Sequence, residues 1–470
     1  MCRCPTLPTN TGDSPTRVNY DFEIVLPALR QNDLEVIIDA SGRIASVGRQ
    51  SRTPTHRTAL LLPAPLNLHS HAFQRAMAGL TEARGPDPRD SFWSWRRLMY
   101  KFLDQLTPDH VEAIASLVFM EMLEAGYGAV AEFHYLHHDS GGVPFTDLAE
   151  MSGRIVSAAV ASGIGLTLLP VHYQFGGCDQ RPLNGGQQRF GNDTEQFLRL
   201  HEGAAAVAAM GPDDFHLGIA AHSLRAIDPD GLTAVLAQAG TGPIHMHLAE
   251  QVAEVDEVLE HLKARPTEWL LANHNVDPRW CLIHCTQMTD SETTALAKTG
   301  AVAGLCPLTE SNLGDGIFNG TGYLGQGGTI GFGSDSNVHI TLFEELKTLE
   351  YSQRLRDLSR AALATSELST GRVLYEAAVK GGAQAGGRRS GAIEADAWAD
   401  LVGFNDDNQW LCNRKGDALL DSLIFSGGGQ ACVRDVWSAG RHVVRQGRHF
   451  KRDVITEKFK ITMRQLETNI

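Results

Sequence analysis

Eight short apolar runs recur along the chain, and nearly every one ends in reactive side chains such as histidine, glutamate, aspartate, arginine or tyrosine. The runs are LLPAPLNLHSH, GYGAVAEFHYLHH, GIGLTLLPVHYQ, FHLGIAAHSLRA, GPIHMHLAEQ, WCLIHCTQM, AVAGLCPLTESN and GGTIGFGSDSN. Segments with helical spacing, such as PDHVEAIASLVFMEMLEAG, separate them. Alternating strands and helices predict a parallel sheet, and eight such units predict closure into a (β/α)8 barrel. Active sites of such barrels lie at the C-terminal ends of the strands, where these reactive residues would gather.

The two flanks of this region have a different character. Residues 18–60 and 391–450 contain short apolar stretches joined by Gly, Asn and Asp turns, with little helical pattern. We predict that both flanks together form one small β-sandwich beside a catalytic barrel at 61–390. Residues 1–17 are predicted to be a flexible tail, and residues 451–470 a separate C-terminal segment.

Composition limits the possible partners and the compartment. The 470-residue chain has a formal net charge of −14, which argues against binding to nucleic acid or to anionic membranes. No stretch approaches the roughly 18 to 20 apolar residues of a membrane span, and the polar N-terminus lacks a signal-peptide core. Eight cysteines, mostly inside apolar runs, are typical of reduced thiols. We therefore expect a cytoplasmic protein that acts on a small molecule. We also expect a homodimer, although composition does not determine the oligomeric state.

Histidines at the strand ends indicate a metal site. His69 and His71 close the first run, and side chains two apart on a strand point the same way, so both would enter the barrel. Such a pair alone is weak evidence. Later runs add His245, His247, His284 and Asp335. Three histidines and one aspartate at successive strand ends would leave a coordination position open for water, as a catalytic zinc requires.

The segments LNLHSHAFQ, HMHLAEQ, LIHCTQM and GFGSDSN resemble the strand-end motifs of the amidohydrolase superfamily. The resemblance implies one zinc ion per chain, held by His69, His71, His247 and Asp335. His247 is preferred to His245 because the family pattern His-x-x-Glu then ends at Glu250, and His245 would pack behind the site. Binuclear members carry a bridging lysine after the fourth strand, whereas the fourth run here has none, which favours a single metal.

The resemblance also implies catalytic roles for three side chains. Glu250 would carry a proton to the departing nitrogen, a contribution worth roughly 10² to 10⁴-fold in rate. Asp335 would take or hold the proton of the attacking water, and His284 would orient or polarise the substrate. The alternative for Glu250 is an exposed glutamate at the start of a helix.

The stretches HSHAFQRAMAGLTE, FWSWRRLMY, EFHYLHHD and HSLRA resemble superfamily members that remove ammonia from a linear amidine. This implies N-formimidoyl-L-glutamate, an intermediate of histidine degradation, as the substrate, and N-formyl-L-glutamate and ammonia as the products. Arginine suits the two substrate carboxylates because its planar fork forms bidentate pairs. The residues predicted to bind the substrate are Gln74, Arg96, Tyr135, His222 and Arg225.

Three alternatives stay open at this point. A purine, pterin or triazine deaminase would keep the fold and the metal, and would need aromatic walls more than paired arginines. An inactive barrel that serves as a scaffold would usually have lost ligands, and all the expected ones are present. Finally, a histidine-rich cluster resembles a second metal site, with support of the barrel mouth as its simpler explanation. This cluster comprises His134, His137, His138 and Asp139.

Overall fold

The computed structural model describes residues 16–20, 34–49, 53–82, 99–405 and 408–467. Its strands are β1 (Thr16–Tyr20), β2 (Leu34–Ile38), β3 (Ile44–Arg49), β4 (His56–Thr58), β5 (Leu60–Pro63), β6 (Leu66–Ser70), β7 (Ala129–His134), β8 (Gly165–His172), β9 (His216–Leu217), β10 (Ile219–Ala221), β11 (Ile244–Leu248), β12 (Trp280–His284), β13 (Val302–Leu305), β14 (Thr329–Phe332), β15 (Leu401–Phe404), β16 (Val433–Ser438), β17 (Arg441–Arg445) and β18 (Arg448–His449). Its α-helices are α1 (Pro108–Glu124), α2 (Glu150–Ser162), α3 (Thr194–Ala208), α4 (Pro229–Gln238), α5 (Val252–Leu262), α6 (Pro266–Asn273), α7 (Asp290–Ala297), α8 (Pro307–Leu313), α9 (Gly320–Gly325), α10 (Leu342–Asp357), α11 (Thr370–Ala385), α12 (Asp417–Phe425) and α13 (Arg452–Glu467).

The strands from β6 to β14 form a closed parallel barrel. Their order is β6-β7-β8-β10-β11-β12-β13-β14, with β9 also paired to β8. The chain after β14 closes the ring against β6. The amides of Ser334 and Asp335 donate to the carbonyl of His69 at 3.0 and 2.9 Å, and the amide of His71 donates to the carbonyl of Asp335 at 2.9 Å. The predicted (β/α)8 barrel is thus confirmed. Three of the predicted metal ligands, His69, His71 and Asp335, take part in the hydrogen bonds that close it.

Local sequence explains why these elements form where they do. All eight residues of β8 are buried, as expected for a parallel strand covered on both faces. Helix α1 begins with Pro108 after the cap residue Thr107, whose hydroxyl accepts from the amide of His110 at 3.3 Å. Within the described ranges, no helix combines the length and the apolar character that crossing a membrane would demand.

Helix α11 packs directly on the barrel backbone near its closing seam. A Cβ atom on Gly381 would lie 2.0 Å from the carbonyl oxygen of Ile330 in β14, and one on Gly382 would lie 2.6 Å from the carbonyl oxygen of Leu66 in β6. Any larger residue at either glycine would push the helix away from both strands. The glycine pair therefore lets the last large helix of the barrel cover the seam.

Both ends of the chain build the accessory β-structure. One sheet has the order β3-β2-β1-β4, and the other has the order β18-β17-β16-β15-β5, in which β5 pairs with β15 in antiparallel register. Leu34, Val36 and Ile38 of β2 share one apolar core with Leu401 of β15 and Trp437 of β16. The composite β-domain is confirmed. The proposed domain boundaries stay a prediction, and residues 1–15 of the predicted tail lie outside the described residues.

One element of the C-terminal flank differs from the expected run of short strands. The segment DALLDSLIF forms helix α12, and Leu420, Leu423 and Ile424 are buried on one side of it. Their spacing is the three-to-four-residue period of a helix, and that side packs against α10 and α11. The Gly, Asn and Asp residues around this segment led to the prediction of short strands, and the helical spacing within it was missed.

A network of buried ions lies at the end of the barrel where the strands begin. The guanidinium of Arg388 donates from Nε to Asp400 Oδ2 at 2.6 Å and from Nη2 to Asp214 Oδ2 at 3.0 Å. Arg441 of β17 also donates to Asp214, at 2.6 Å. A Cβ atom on Gly165, the first residue of β8, would lie 2.7 Å from Arg388 Nη2. The network therefore joins the bottom of the barrel to the β-domain.

Candidate active site

The structure brings the four predicted metal ligands together at the C-terminal ends of the strands. His69 and His71 lie at the end of β6, His247 lies on β11, and Asp335 follows β14. Asp335 Oδ1 is 3.1 Å from His71 Nε2 and 3.5 Å from His69 Nε2, and His69 Nε2 is 3.1 Å from His247 Nε2. The four side chains are buried, and one ligand atom from each lies within 4.8 Å of the others, so the cluster can hold a metal ion.

Contacts behind the cluster show that a cation fits it. His71 Nδ1 donates to the carbonyl of Phe133 at 3.0 Å, and His247 Nδ1 donates to the carbonyl of His222 at 3.0 Å. A proton on Nδ1 leaves the Nε2 lone pair of each ring free for a ligand. These lone pairs converge with a carboxylate oxygen, and such a donor set suits zinc.

Burial sets protonation states that agree with this donor set. Desolvation lowers the pKa of His69 to about 3 and holds the pKa of His247 well below its ordinary value. Burial alone would raise the pKa of Asp335, but its close contacts with the rings of His69 and His71 hold it well below its usual range. Neutral imidazoles beside an ionised carboxylate are the forms that bind a metal.

Glu250, the predicted proton carrier, and His284, predicted to orient or polarise the substrate, face each other beside this cluster. His284 Nε2 lies 3.9 Å from Glu250 Oε1 and 3.9 Å from Asp335 Oδ2. Burial raises the pKa of Glu250 above its usual value. Burial acts to lower the pKa of His284, but the surrounding carboxylates, Glu250 foremost, raise it to about 10. At neutral pH the pair therefore retains a proton that the isolated side chains would largely lose.

Glu310 supports His284 from behind, a role that the sequence reasoning missed. Its Oε1 accepts from His284 Nδ1 at 3.2 Å and from the amide of Cys306 at 2.8 Å. His284, Cys306 and Glu310 also form a second cluster with metal-binding residue types. Burial raises the pKa of the Cys306 thiol well above its usual value, so the thiol stays protonated. We therefore interpret this cluster as a hydrogen-bonded support that turns His284 Nε2 towards Glu250.

A cavity with an empty volume of about 560 Å³ opens over these groups. Four of the five predicted substrate-binding residues line it: Gln74, Tyr135, His222 and Arg225. Gln74 Nε2 donates to the hydroxyl of Tyr135 at 2.7 Å, while the buried Gln74 Oε1 has no partner. Arg225 is half-buried, and its Nε has no hydrogen-bond partner among the described residues. Arg96, the fifth residue, lies outside the described residues.

Aromatic side chains form one wall of the cavity. The ring centroids of Tyr135 and Phe190 are 4.6 Å apart, and those of Tyr173 and His222 are 4.5 Å apart. Tyr173 lies next to the last residue of the third apolar run. The reasoning that identified the other strand-end residues could therefore also have identified it. Phe190 lies farther along the loop that follows β8, where no periodic pattern points to the cavity.

The histidine-rich cluster after β7 does not converge on a common point. His137 Nε2 bonds the carbonyl of Val171 at 2.9 Å, and His138 Nε2 bonds the carbonyl of Gly191 at 2.8 Å. Asp139 caps the turn that follows by accepting from the amide of Ser140 at 2.8 Å. In the parts of the chain that the structure describes, these residues are absent from the groups able to hold a metal. Their contacts instead support the loops of the barrel mouth.

The chain belongs to the amidohydrolase family, because the family model matches residues 60–443. Over 392 residues it is 50% identical to the formimidoylglutamate deiminase of Pseudomonas aeruginosa, an alignment that covers 83% of this chain and 85% of that protein. It is also 24% identical over 391 residues to a 5-methylthioadenosine/S-adenosylhomocysteine deaminase of Natronomonas pharaonis, covering 81% and 82% of the two chains. The superfamily inferred from the strand-end motifs is thus confirmed.

Solved structures agree with this assignment. An amidohydrolase from Brucella melitensis superposes with a TM-score of 0.90 at 44% identity, covering 97% of this chain and all of that one (100%). An adenosine deaminase from Xanthomonas campestris with bound zinc superposes with a TM-score of 0.80 at 19% identity, covering 97% and 99% of the two chains. At that identity the second similarity extends to the fold alone.

Proposed function

We propose that this chain is a zinc-dependent deiminase that converts N-formimidoyl-L-glutamate and water into N-formyl-L-glutamate and ammonia, a step of histidine degradation. It is a hydrolase that acts on carbon–nitrogen bonds, as its family and its 50% identity to a formimidoylglutamate deiminase indicate. The observation that carries the proposal is one cavity lined both by the histidine–aspartate cluster and by the guanidinium of Arg225. Such a cavity suits a substrate that has a hydrolysable amidine at one end and carboxylates at the other.

We propose one zinc ion per chain at the histidine–aspartate cluster. The proposed ligands are His69, His71, His247 and Asp335. Bound there, zinc would supply a Lewis acid that lowers the pKa of water to about 7. The fourth apolar run contains no lysine that could bridge a second metal, which supports the single-metal assignment.

The side chains around the cluster would manage the protons of the reaction. Asp335 takes one proton of the water whose oxygen adds to the formimidoyl carbon. Both water protons end on the departing nitrogen as its bond to carbon breaks and the formyl C=O bond forms. Glu250, whose pKa burial raises above its usual value, is placed to pass protons to the departing nitrogen so that ammonia leaves. His284, held from behind by Glu310, directs Nε2 at the same place and orients the amidine.

Other residues that line the cavity would recognise the glutamate moiety. Arg225 pairs with a carboxylate, because a planar guanidinium fork matches two carboxylate oxygens in a charge-assisted bidentate contact. Gln74 and Tyr135 provide neutral hydrogen bonds, and His222 is proposed as a further contact because it lines the same cavity. Arg96 is proposed as a second carboxylate contact on the strength of its sequence position.

A heterocycle deaminase is the second candidate, and the aromatic wall is the observation that favours it. A flat purine, pterin or triazine could pack on Tyr135, Tyr173 and Phe190. A neutral substrate of this kind would leave the guanidinium of Arg225 without a partner in the cavity, which is unfavourable. The linear, doubly charged amidine therefore fits the cavity better.

Ammonia release distinguishes the two candidates. Purified zinc-loaded enzyme is assayed with N-formimidoyl-L-glutamate, guanine and adenosine at matched concentrations, with Glu250→Gln as the control for contaminating activity. We expect at least roughly 10²-fold faster release from N-formimidoyl-L-glutamate, because only that substrate pairs its charge with the half-buried guanidinium of Arg225. Faster release from guanine or adenosine would transfer the proposal to the heterocycle deaminases.

The proposal also includes the oligomeric state and the cellular compartment. We propose a cytoplasmic homodimer; the described cysteines are all free thiols, which supports a reducing compartment. Light scattering that gives the mass of one chain across the working concentration range would reject the dimer.

A further inference from the structure

Arg189 is a completely buried arginine in the 3₁₀ turn Gly185–Arg189, within the loop after β8. Its guanidinium donates to three backbone carbonyls: from Nε to His138 at 2.9 Å, from Nη2 to Leu106 at 2.8 Å, and from Nη1 to Leu103. Among the described residues it forms no ion pair. Burying an arginine is costly unless its donors find acceptors. The surrounding loops are therefore shaped to receive this one side chain.

The backbone of Arg189 strengthens the same connection. Its carbonyl accepts from the amides of His137 and His138, both at 3.0 Å. Side chain and backbone together join three stretches that follow different barrel strands, namely residues 99–106, 137–138 and 185–190. The loop histidines that resembled a second metal site are thus part of this connection.

Two of these stretches contribute to the wall of the cavity. Met99 and Tyr100 lie on the first stretch, and Phe190 directly follows Arg189. The Tyr100 ring packs on Gly186, where a Cβ atom would lie 2.6 Å from Tyr100 Cδ1. The centroids of the Tyr100 and Phe190 rings are 6.4 Å apart. The position of this wall thus depends on how closely residues 99–106 are held against the turn at 185–190.

We propose that Arg189 is a positioning residue for substrate recognition: by binding the carbonyls of Leu103 and Leu106, it holds Met99 and Tyr100 against the Gly186 turn. The inference depends on the proposed function only in taking this cavity as the substrate site. Arg189 contacts neither the metal cluster nor Glu250. Its loss should therefore weaken substrate binding more than it slows the chemical step, which raises KM and leaves kcat nearly unchanged.

The test compares two buried arginines at opposite ends of the barrel. Arg189→Met keeps the length and removes the donors, Arg189→Lys keeps one charged donor group, and Arg388→Lys is the matched control. For Arg189→Met we expect KM to rise at least about 10-fold with kcat within about 3-fold of the parent and unchanged zinc content. Arg189→Lys should recover part of the affinity, because one ammonium cannot reach three carbonyls in the fork geometry. Arg388→Lys should lower Tm and leave KM unchanged.

Amide hydrogen exchange provides a readout that is independent of activity. Exchange across residues 99–106 should become faster in Arg189→Met and stay at the parent rate in Arg388→Lys. If Arg189→Met does not fold, Gly186→Ala tests the same contact by displacing Tyr100 and should also raise KM.

Two results would overturn the proposal: an unchanged KM in every folded Arg189 and Gly186 variant, or unchanged exchange across residues 99–106. Failure of the proposed function would look different. In that case the parent enzyme itself would release no ammonia from N-formimidoyl-L-glutamate, while the exchange comparison would still decide whether Arg189 holds the wall.

Discussion

The two ends of the barrel both bury charged side chains, but they satisfy those charges differently. At the end where the strands begin, Arg388 lies between Asp214 and Asp400, and the whole group is closed to solvent. At the other end, ligand atoms of one carboxylate and three imidazoles converge, and the Nε atom of Arg225 has no partner among the described residues. A network that stabilises the fold can satisfy its own charges, whereas a site that takes a cation and an anionic substrate must leave room for them.

The pKa values of buried carboxyl groups also differ between the two ends of the barrel. Burial acts to raise the pKa of Asp214, but the neighbouring guanidinium groups, Arg441 foremost, lower it to about 2. At the mouth, burial raises the pKa of Glu250, and burial together with repulsion from Glu250 raises the pKa of Asp315 to about 8. A raised carboxyl pKa suits proton transfer, and the raised pKa of Glu250, which lines the cavity, is typical of a functional site.

The largest expected effect comes from removing a proton carrier at the mouth. Glu250→Gln keeps the size and the hydrogen-bonding capacity of the side chain but removes the acid. We expect kcat for ammonia release to fall roughly 10² to 10⁴-fold, with zinc content and Tm unchanged. Near-normal turnover would mean that Glu250 is structural and that His284 or Asp335 moves the protons.

At the bottom of the barrel we expect the opposite result, a loss of stability without a loss of activity. Arg388→Met leaves the buried Asp400 without its guanidinium partner and Asp214 with Arg441 alone, and should lower the free energy of unfolding by about 3 to 5 kcal/mol. Activity per folded, zinc-loaded molecule should stay at the parent value. Urea unfolding and steady-state kinetics on the same preparation test both parts. A large loss of activity without destabilisation would contradict the division between the two ends.

Arg225→Ala tests whether the half-buried guanidinium at the mouth receives a substrate carboxylate. Loss of such a pair costs roughly 2 to 5 kcal/mol, which corresponds to a fall in kcat/KM of about 30-fold to several thousand-fold. Arg225→Lys should recover only part of this loss. A neutral analogue without the carboxylate should be a poor substrate for the parent and lose little more in the variant. Hydrolysis of N-formimidoyl-L-glutamate at nearly the parent rate would move the contact to Arg96.

The smallest expected effect is a pH dependence of stability at the bottom of the barrel. The folded-state pKa of Asp214 is lowered to about 2, below its unfolded value of about 3.9, so its stabilising contribution is complete above pH 4 to 5. About 2 kcal/mol should then be lost as the pH falls from about 4 towards 2. Urea unfolding across this range should show a shallower pH dependence in Asp214→Asn than in the parent. Equal slopes would exclude Asp214 as the source.

Sequence reasoning was most successful where side-chain direction follows from strand geometry. His69 and His71 are two residues apart at the end of one strand, so the shared direction of their side chains was predictable. Because active sites of such barrels lie at the C-terminal ends of the strands, His247 and Asp335 were expected at the same end. Glu310 and Phe190 were not predicted, because a short helix and a loop bring them to the site. Such segments show no regular spacing of apolar residues from which the direction of a side chain could be inferred. Arg189 escaped for a further reason: its partners are backbone carbonyls, which carry no residue-specific signal.

Zinc titration of metal-free enzyme tests the central claim, a one-metal hydrolytic centre at the barrel mouth, most directly. Chelator-treated protein is reloaded with increasing zinc, and ammonia release from N-formimidoyl-L-glutamate is recorded against zinc bound per chain. We expect no activity without metal and a linear recovery that reaches its plateau at about one zinc per chain. A plateau at about two zinc ions per chain, or full activity in the metal-free protein, would contradict the claim.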